Sequence, residues 1–276
     1  MLTVSGTDAQ SFLQNLLTND VTALATNQSH LSGFCNAKGR LFALFHLIRR
    51  QEDYQLILPK EMCLALQQRL TMYILRSKVT ITDETENLSC LGLISTDKSP
   101  TQALNLAAEA VQQLNDRTLC IASHQKIEGI VSTAKEQHWQ LASENIWFIA
   151  DIDAGYPMIF PETKEKFTPQ QVNLELVGGV SFNKGCYPGQ EIVARLHYLG
   201  KPSRRMFKAT QVTKQIPNIG DEIVTDLGDI AGHIVSIQSK EEAHFELLIS
   251  LKLNQLNAKL LINDSSVIIP NSEIPE

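Results

Sequence analysis

The run NKGCYPGQEIVAR, Asn183 to Arg195, sets the thiol of Cys186 among glycines, a proline and polar side chains. Gly185 and Gly189 accept positive φ at little cost, while Pro188 fixes its own φ and biases Tyr187 toward an extended backbone. A tight, defined loop around the cysteine follows. Lys184 stands two residues before the thiol, and an ammonium nearby favours the thiolate, the form that attacks electrophiles or binds metal. Gln190 and Glu191 add hydrogen-bonding and charged groups within the same run. The plainer alternative is a buried, inert cysteine packed as a small hydrophobe. The other cysteines, Cys35, Cys63, Cys90 and Cys120, are widely spaced, with no CxxC and no clustered histidines. That spacing argues against a disulfide framework, a structural zinc site or a self-contained iron-sulfur cluster. Any cluster chemistry would therefore be shared with a partner, and no resident metal is expected.

Charge is unevenly spread. The whole chain carries −6, which opposes non-specific nucleic-acid binding, so no direct, stable nucleic-acid complex is expected. From Lys184 to Lys208, however, Lys184, Arg195, Lys201, Arg204, Arg205 and Lys208 face one acid, Glu191. A local excess of this kind suits an anion such as a carboxylate tail or a phosphate; a solvated charged loop is the alternative. Apolar runs such as LFALFHLI, from Leu41 to Ile48, fall far short of the ~20 residues of a bilayer-spanning helix. MLTVSGTDAQSFLQ lacks the basic and long apolar segments of a secretory signal. A cytoplasmic or organelle-matrix location is expected.

The elements that must position the thiol can be read from periodicity. Leu2 to Val4 predicts a strand, followed by Gly6 and a Thr7/Asp8 cap before a helix with Phe12, Leu13, Leu16 and Leu17 on one face. LSGFCNAKGRLFALFHLIRR predicts two strands joined at Ala37 to Gly39, with DYQLILP as an antiparallel neighbour. Pro59 opens a helix through KEMCLALQQRLTMYIL, with Met62, Leu66, Leu70 and Tyr73 as its buried stripe. SKVTIT, SCLGLIST and TLCIAS predict strands and TQALNLAAEAVQQL a helix, with further helices over 134–141 and 144–154, the latter stopped by Gly155 and Pro157. No G-x-G-x-x-G or Walker loop is present to support a nucleotide-binding fold. Residues 160–179 read as loop, and beyond Pro202 the pieces MFKATQV, DEIVTD, GDIAGHIVSIQS, AHFELLIS, AKLLIN and SVIIP predict a small β-barrel or sandwich.

KGCYPGQE, preceded by IDAGYPMI and FTPQQVNLELVGGVSFN, resembles the YgfZ family of folate-binding proteins, whose fold is shared with the aminomethyltransferase T-protein of the glycine cleavage system. SGTDAQSFLQNLLTNDV, FCNAKGRLFALFHL and YILRSKVTITDET extend the resemblance over nearly the whole chain. It implies an α+β, aminomethyltransferase-like fold: interwoven α+β regions over 1–200, with 27–125 as an inserted subdomain, and a C-terminal β-barrel over 203–276 around a central channel. It also implies a monomeric tetrahydrofolate-binding protein of the cytoplasm, acting in iron-sulfur cluster assembly or repair with effects on tRNA-modifying enzymes. Folate and iron-sulfur carrier or client proteins are the implied partners.

Carried over by residue, the resemblance makes Cys186 the functional thiol, tuned by Lys184. Trp147 and Asp153 become pterin contacts by stacking and by accepting hydrogen bonds. Tyr187, Gln190, Glu191, Arg195, Arg204 and Arg205 complete the implied folate site. Two rivals stand beside this reading: a folate-dependent one-carbon transferase, and a non-catalytic scaffold for cluster carriers. The T-protein's paired aspartates fall here on Ala43 and Leu44, so aminomethyl transfer by that route lacks its carboxylate.

Overall fold

A computed structural model describes residues 1–95, 110–114 and 117–275, and the chain divides into two units, one of Met1–Phe12, Thr22–His30 and His46–Trp147 and the other of Leu13–Val21, Leu31–Phe45 and Phe148–Glu276.

In the first unit, alternation in LTVS buries Leu2 and Val4 in strand β1 (Leu2–Ser5). β1 pairs antiparallel with β4 (Asp53–Ile57) on one side and β5 (Thr80–Asp83) on the other, with Leu2 opposite Leu56 and Asp83. The second half of β3 (Leu41–Arg49) pairs with β4, from His46 opposite Ile57 to Arg49 opposite Tyr54. Helix α2 (Lys60–Thr71) opens after Pro59 and buries Met62, Leu66 and Leu70. The predicted stripe ends there. Tyr73 lies beyond the helix in a turn, where its ring is exposed and no longer follows the helical period.

A second sheet runs β6-β8-β7, built from β6 (Leu88–Ile94), β7 (Ala110–Leu114) and β8 (Arg117–Ser123). Two predicted helices are corrected here. Residues 110–114 of the TQALNLAAEAVQQL segment form β7, hydrogen-bonded to β8 from Ala110 opposite Ile121 to Leu114 opposite Arg117; residues 101–109 lie outside the described residues. Ladder pairing overrides the helical propensity of Ala110, Gln112, Gln113 and Leu114. The helix expected over 134–141 instead occupies His124–Glu136, here α3, and buries Ile130 and Ala134. It ends where His138 takes φ 66 and the Trp139 amide turns back to the Ala134 carbonyl at 3.0 Å. The next helix, α4 (Asn145–Asp153), follows its prediction and stops at Gly155, φ 68.

The second unit contains the first half of β3, the end of β2 (Ser29–Cys35), and the hairpin turn between them. Asn36 closes that turn: its side-chain oxygen accepts from the Lys38 and Arg40 amides at 2.9 and 3.1 Å. The barrel closes in the order β10-β11-β12-β9-β14-β13. Its strands are β9 (Arg204–Val212), β10 (Glu222–Thr225), β11 (Ile230–Glu241), β12 (His244–Lys252), β13 (Leu260–Ile262) and β14 (Ser265–Ile268). All six match the predicted pieces. Phe207, Ile234, Leu247, Ile249 and Leu251 fill the interior. Closure leaves no edge strand for another chain to extend. Among the described residues no helix is long and apolar enough to cross a membrane.

Burial drives the His46 imidazole down to about 4, with Arg117 and then His30 adding repulsion. A histidine held neutral when folded takes up a proton on unfolding, so its contribution is complete above 6.5 and lost as pH falls through about 4. Urea denaturation across that window should show wild-type stability falling more steeply than that of His46→Gln. Parallel curves would refute the assignment.

Candidate functional site: the Cys186 loop

Lys184 is the anchor of the loop. Its ammonium is buried and donates to the carbonyls of Gln14, Leu17 and Asn19 at 2.6, 2.5 and 3.0 Å. These carbonyls lie at and just beyond the end of α1 (Ala9–Gln14), where a cation meets unpaired acceptors and the negative end of the helix dipole. Burial pushes the ammonium down to about 8, while Asp20 works in the opposite sense. Three neighbouring bonds stitch the same two segments: Thr18 Oγ1 to the Gly179 carbonyl at 2.7 Å, Asn19 Nδ2 to that of Gly178 at 2.7 Å, and the Ser181 amide to that of Thr18 at 3.0 Å.

The other flank closes on the β2–β3 hairpin. Gly189 takes φ 79, and a Cβ on it would lie 2.4 Å from the Asn36 carbonyl oxygen and 2.5 Å from Gly39 Cα. Only glycine satisfies both the backbone angle and the approach. Helix α5 (Gln190–Tyr198) starts immediately after it, an element the sequence reading passed over. Between these pins Tyr187 is buried under the ammonium, with Lys184 Nζ 5.3 Å from its ring centre. Burial, then Cys35, pushes its hydroxyl above the usual phenol range. Cys186, one residue away, is exposed. A thiol fixed on a doubly pinned loop and open to solvent can attack an electrophile or ligate a soft metal brought to it.

Lys184, expected to tune this thiol, has a positioning role in the structure. An ammonium has three N–H donors, and all are directed at backbone carbonyls, so the lysine positions the loop and has no donor left for sulfur.

Other members of the basic run are also committed. Arg205 is buried and donates to the Glu175 carboxylate and, at 3.1 Å, to the Gln170 carbonyl. That pairing supports the fold rather than a ligand. Lys208 bridges Asp153 and Glu246, the latter at 3.3 Å, so the Asp153 carboxylate already holds a cation. Arg195 and Lys201 are exposed and Arg204 is half-buried. Gln190 is half-buried, and Glu191 lies exposed in the first turn of α5, where a carboxylate suits the helix dipole.

Trp147 belongs to the first unit, whereas the other candidate residues belong to the second. Its indole stacks on the Arg117 guanidinium, 4.6 Å from the ring centre, and its carbonyl accepts from Arg117 Nη1 at 2.8 Å. Gly92 makes room for the ring: a Cβ there would lie 2.4 Å from it. Ala43 and Leu44 are buried aliphatic side chains, so no carboxylate occupies those positions. Among the described residues no group of three or more His, Cys, Asp or Glu could hold a metal ion.

This architecture is an aminomethyltransferase-like fold. The solved glycine cleavage aminomethyltransferase T of Bartonella henselae superposes with a TM-score of 0.76 at 14% identity, covering 98% of this chain and 82% of that one. No family model matches the chain. Curated relatives are nearer in sequence. The tRNA-modifying protein YgfZ of Photorhabdus laumondii is 33% identical over 248 residues, covering 83% of this chain and 74% of that protein. The YgfZ of Photobacterium profundum is 32% identical over 241 residues, covering 83% and 73%. The chain belongs to the YgfZ family.

Replacing Lys184 with methionine strands one buried and two part-buried carbonyls, which should cost about 3 kcal/mol in chemical denaturation. Gly189→Ala, which adds both strain and a backbone clash, should cost about 2 kcal/mol or more. Wild-type midpoints in both variants would show that neither residue pins the loop.

Proposed function

We propose that this protein binds tetrahydrofolate and serves the assembly or repair of iron-sulfur clusters, acting in the cytoplasm with cluster carriers or client enzymes, tRNA-modifying enzymes among them. Cys186 is the group that meets the client. The observation that carries this reading is an exposed cysteine held in the pinned KGCYPGQE loop of a YgfZ-family chain. The tRNA link rests on the name of the relatives, and the folate link on the aminomethyltransferase-like fold.

The available surfaces fit such a ligand in part. Trp147 offers an indole for stacking, although one face already carries Arg117. Asp153 would accept pterin N–H groups only by sharing its carboxylate with Lys208. Tyr187, Gln190, Glu191, Arg195 and Arg204 remain ligand contacts in this proposal, with Arg204 meeting a carboxylate of the folate tail. Arg205 is assigned to the fold through Glu175. Aminomethyl transfer is not part of the proposal, because buried Ala43 and Leu44 supply no carboxylate.

Two measurements test it. Calorimetry with tetrahydrofolate should give binding by wild-type protein and a loss of about tenfold in Trp147→Ala, the scale of one aromatic contact; no heat with wild type would end the folate assignment. In cells lacking the protein, Cys186→Ala should fail to restore cluster-dependent tRNA modification while remaining folded. Full restoration would remove the thiol from the function.

A further inference from the structure

Arg204 opens β9 half-buried, and among the described residues its guanidinium makes no ion pair. A partly desolvated cation without a carboxylate is costly. Its surroundings add to the cost. On the barrel, Arg204 lies opposite Lys252, and Ser250 lies opposite both Met206 and His233. Side chains alternate along strands, so Arg204, Lys252 and His233 share the face away from Phe207, Ile249 and Leu251 in the barrel core.

Two more cations reach this face from outside the barrel. The Phe167 ring meets the His233 imidazole edge-on at 6.5 Å, which brings Lys166 alongside. Arg40 is tied to the same place: its Nη1 donates to the Lys166 carbonyl, and the Leu41 amide donates to that of Phe167 at 2.8 Å. Burial and then the Arg40 charge weaken the Arg204 guanidinium's hold on its proton, and burial, then Lys166 and Arg204, do the same to His233. Glu222, opposite His233, acts against them on that imidazole, and Glu162 lies with the Lys166 ammonium beside Gly220. Glu222 is exposed and forms no ion pair with Arg40, Lys166 or Arg204.

We propose that Arg40, Lys166 and Arg204, backed by Lys252 and His233, form a site for a multiply charged oxyanion of phosphate type on the outer face of the barrel. Guanidiniums offer several directed donors to such a group, and an anion held between Arg40 and Arg204 would relieve the repulsion between their charges. For Arg204 this extends the folate-tail contact proposed above; for the other cations it is a separate site, so tripolyphosphate binding can fail while folate calorimetry on Trp147→Ala succeeds, and the reverse.

The probe is inorganic tripolyphosphate, measured by calorimetry and by its effect on Tm. Wild type should bind it with an affinity that falls as salt rises and should gain Tm; Arg204→Gln and Arg40→Gln should each lose about tenfold in affinity. Without the anion, Arg204→Gln should keep or raise Tm, because like-charge repulsion is relieved, whereas a merely structural arginine would lower it. Competition identifies the natural source. Displacement by a polyglutamylated tetrahydrofolate assigns the site to folate carboxylates, displacement by a short 5′-phosphorylated oligoribonucleotide assigns it to nucleic-acid phosphates, and displacement by neither assigns it to free polyphosphate. Absence of tripolyphosphate binding, unchanged affinity in both variants, or a lowered Tm of anion-free Arg204→Gln would overturn the proposal.

Discussion

A single buried ammonium determines where the Cys186 loop sits. Lys184 closes three carbonyls left open past the end of α1, and in doing so fixes a stretch of chain more than one hundred and sixty residues away in sequence. Such a cation is stable in the interior only because each N–H finds an acceptor; losing them would expose both a desolvated charge and unpaired backbone groups. Gly189 does the complementary work on the far side by permitting backbone contact with the Asn36–Gly39 turn. The lysine and the glycine of KGCYPGQE are thus explained by positioning alone, and the exposed cysteine between them is the member that positioning does not explain.

The same economy governs the basic run after the loop. Counted along the chain it reads as one electropositive patch; in space it divides by partner. Lys184 goes to carbonyls, Arg205 to Glu175, and Lys208 to Asp153 and Glu246. What remains for an external anion is smaller and includes residues distant in sequence, since Arg40 acts on Arg204 from the hairpin and Lys166 acts on His233 from the loop after Phe160. Local charge density in a sequence overstates what a ligand meets whenever the acids that neutralise it come from elsewhere.

The barrel was legible because its strands obey a period of two and are separated by turn residues, so each piece carries its own signal. Helix α2 was legible for the same reason at period 3.6. The failures share a different cause. Residues 110–114 have helix-forming composition and become a strand through pairing with β8, a contact no local window contains. α3 begins at His124, directly after a buried strand and a Ser123 that makes no side-chain cap bond, so the usual start signal is absent. α5 was hidden by the motif in front of it, whose glycines and proline read as loop. Within the site, the cysteine and its glycine punctuation were visible, whereas the destination of the lysine depended on carbonyls, which have no sequence signature.

Exposure narrows the five cysteines to Cys90 and Cys186. Burial pushes Cys35 up to about 12 and Cys120 to about 11, which leaves both almost wholly protonated near neutrality and poor nucleophiles or ligands, and the thiol of the exposed Cys90, 3.6 Å from Met1 Sδ, is likewise raised to about 11. Cys63 is buried and lies against the terminal amine at 3.2 Å. Cys186 is exposed on a loop held at both flanks, by Lys184 and by Gly189. An exposed thiol on a floppy loop would meet partners in many geometries at a large entropic cost; one on a pinned loop meets them in few. The opening reading of this segment placed the activating power in the neighbouring ammonium. The structure shows the lysine holding the loop through three bonds to backbone carbonyls.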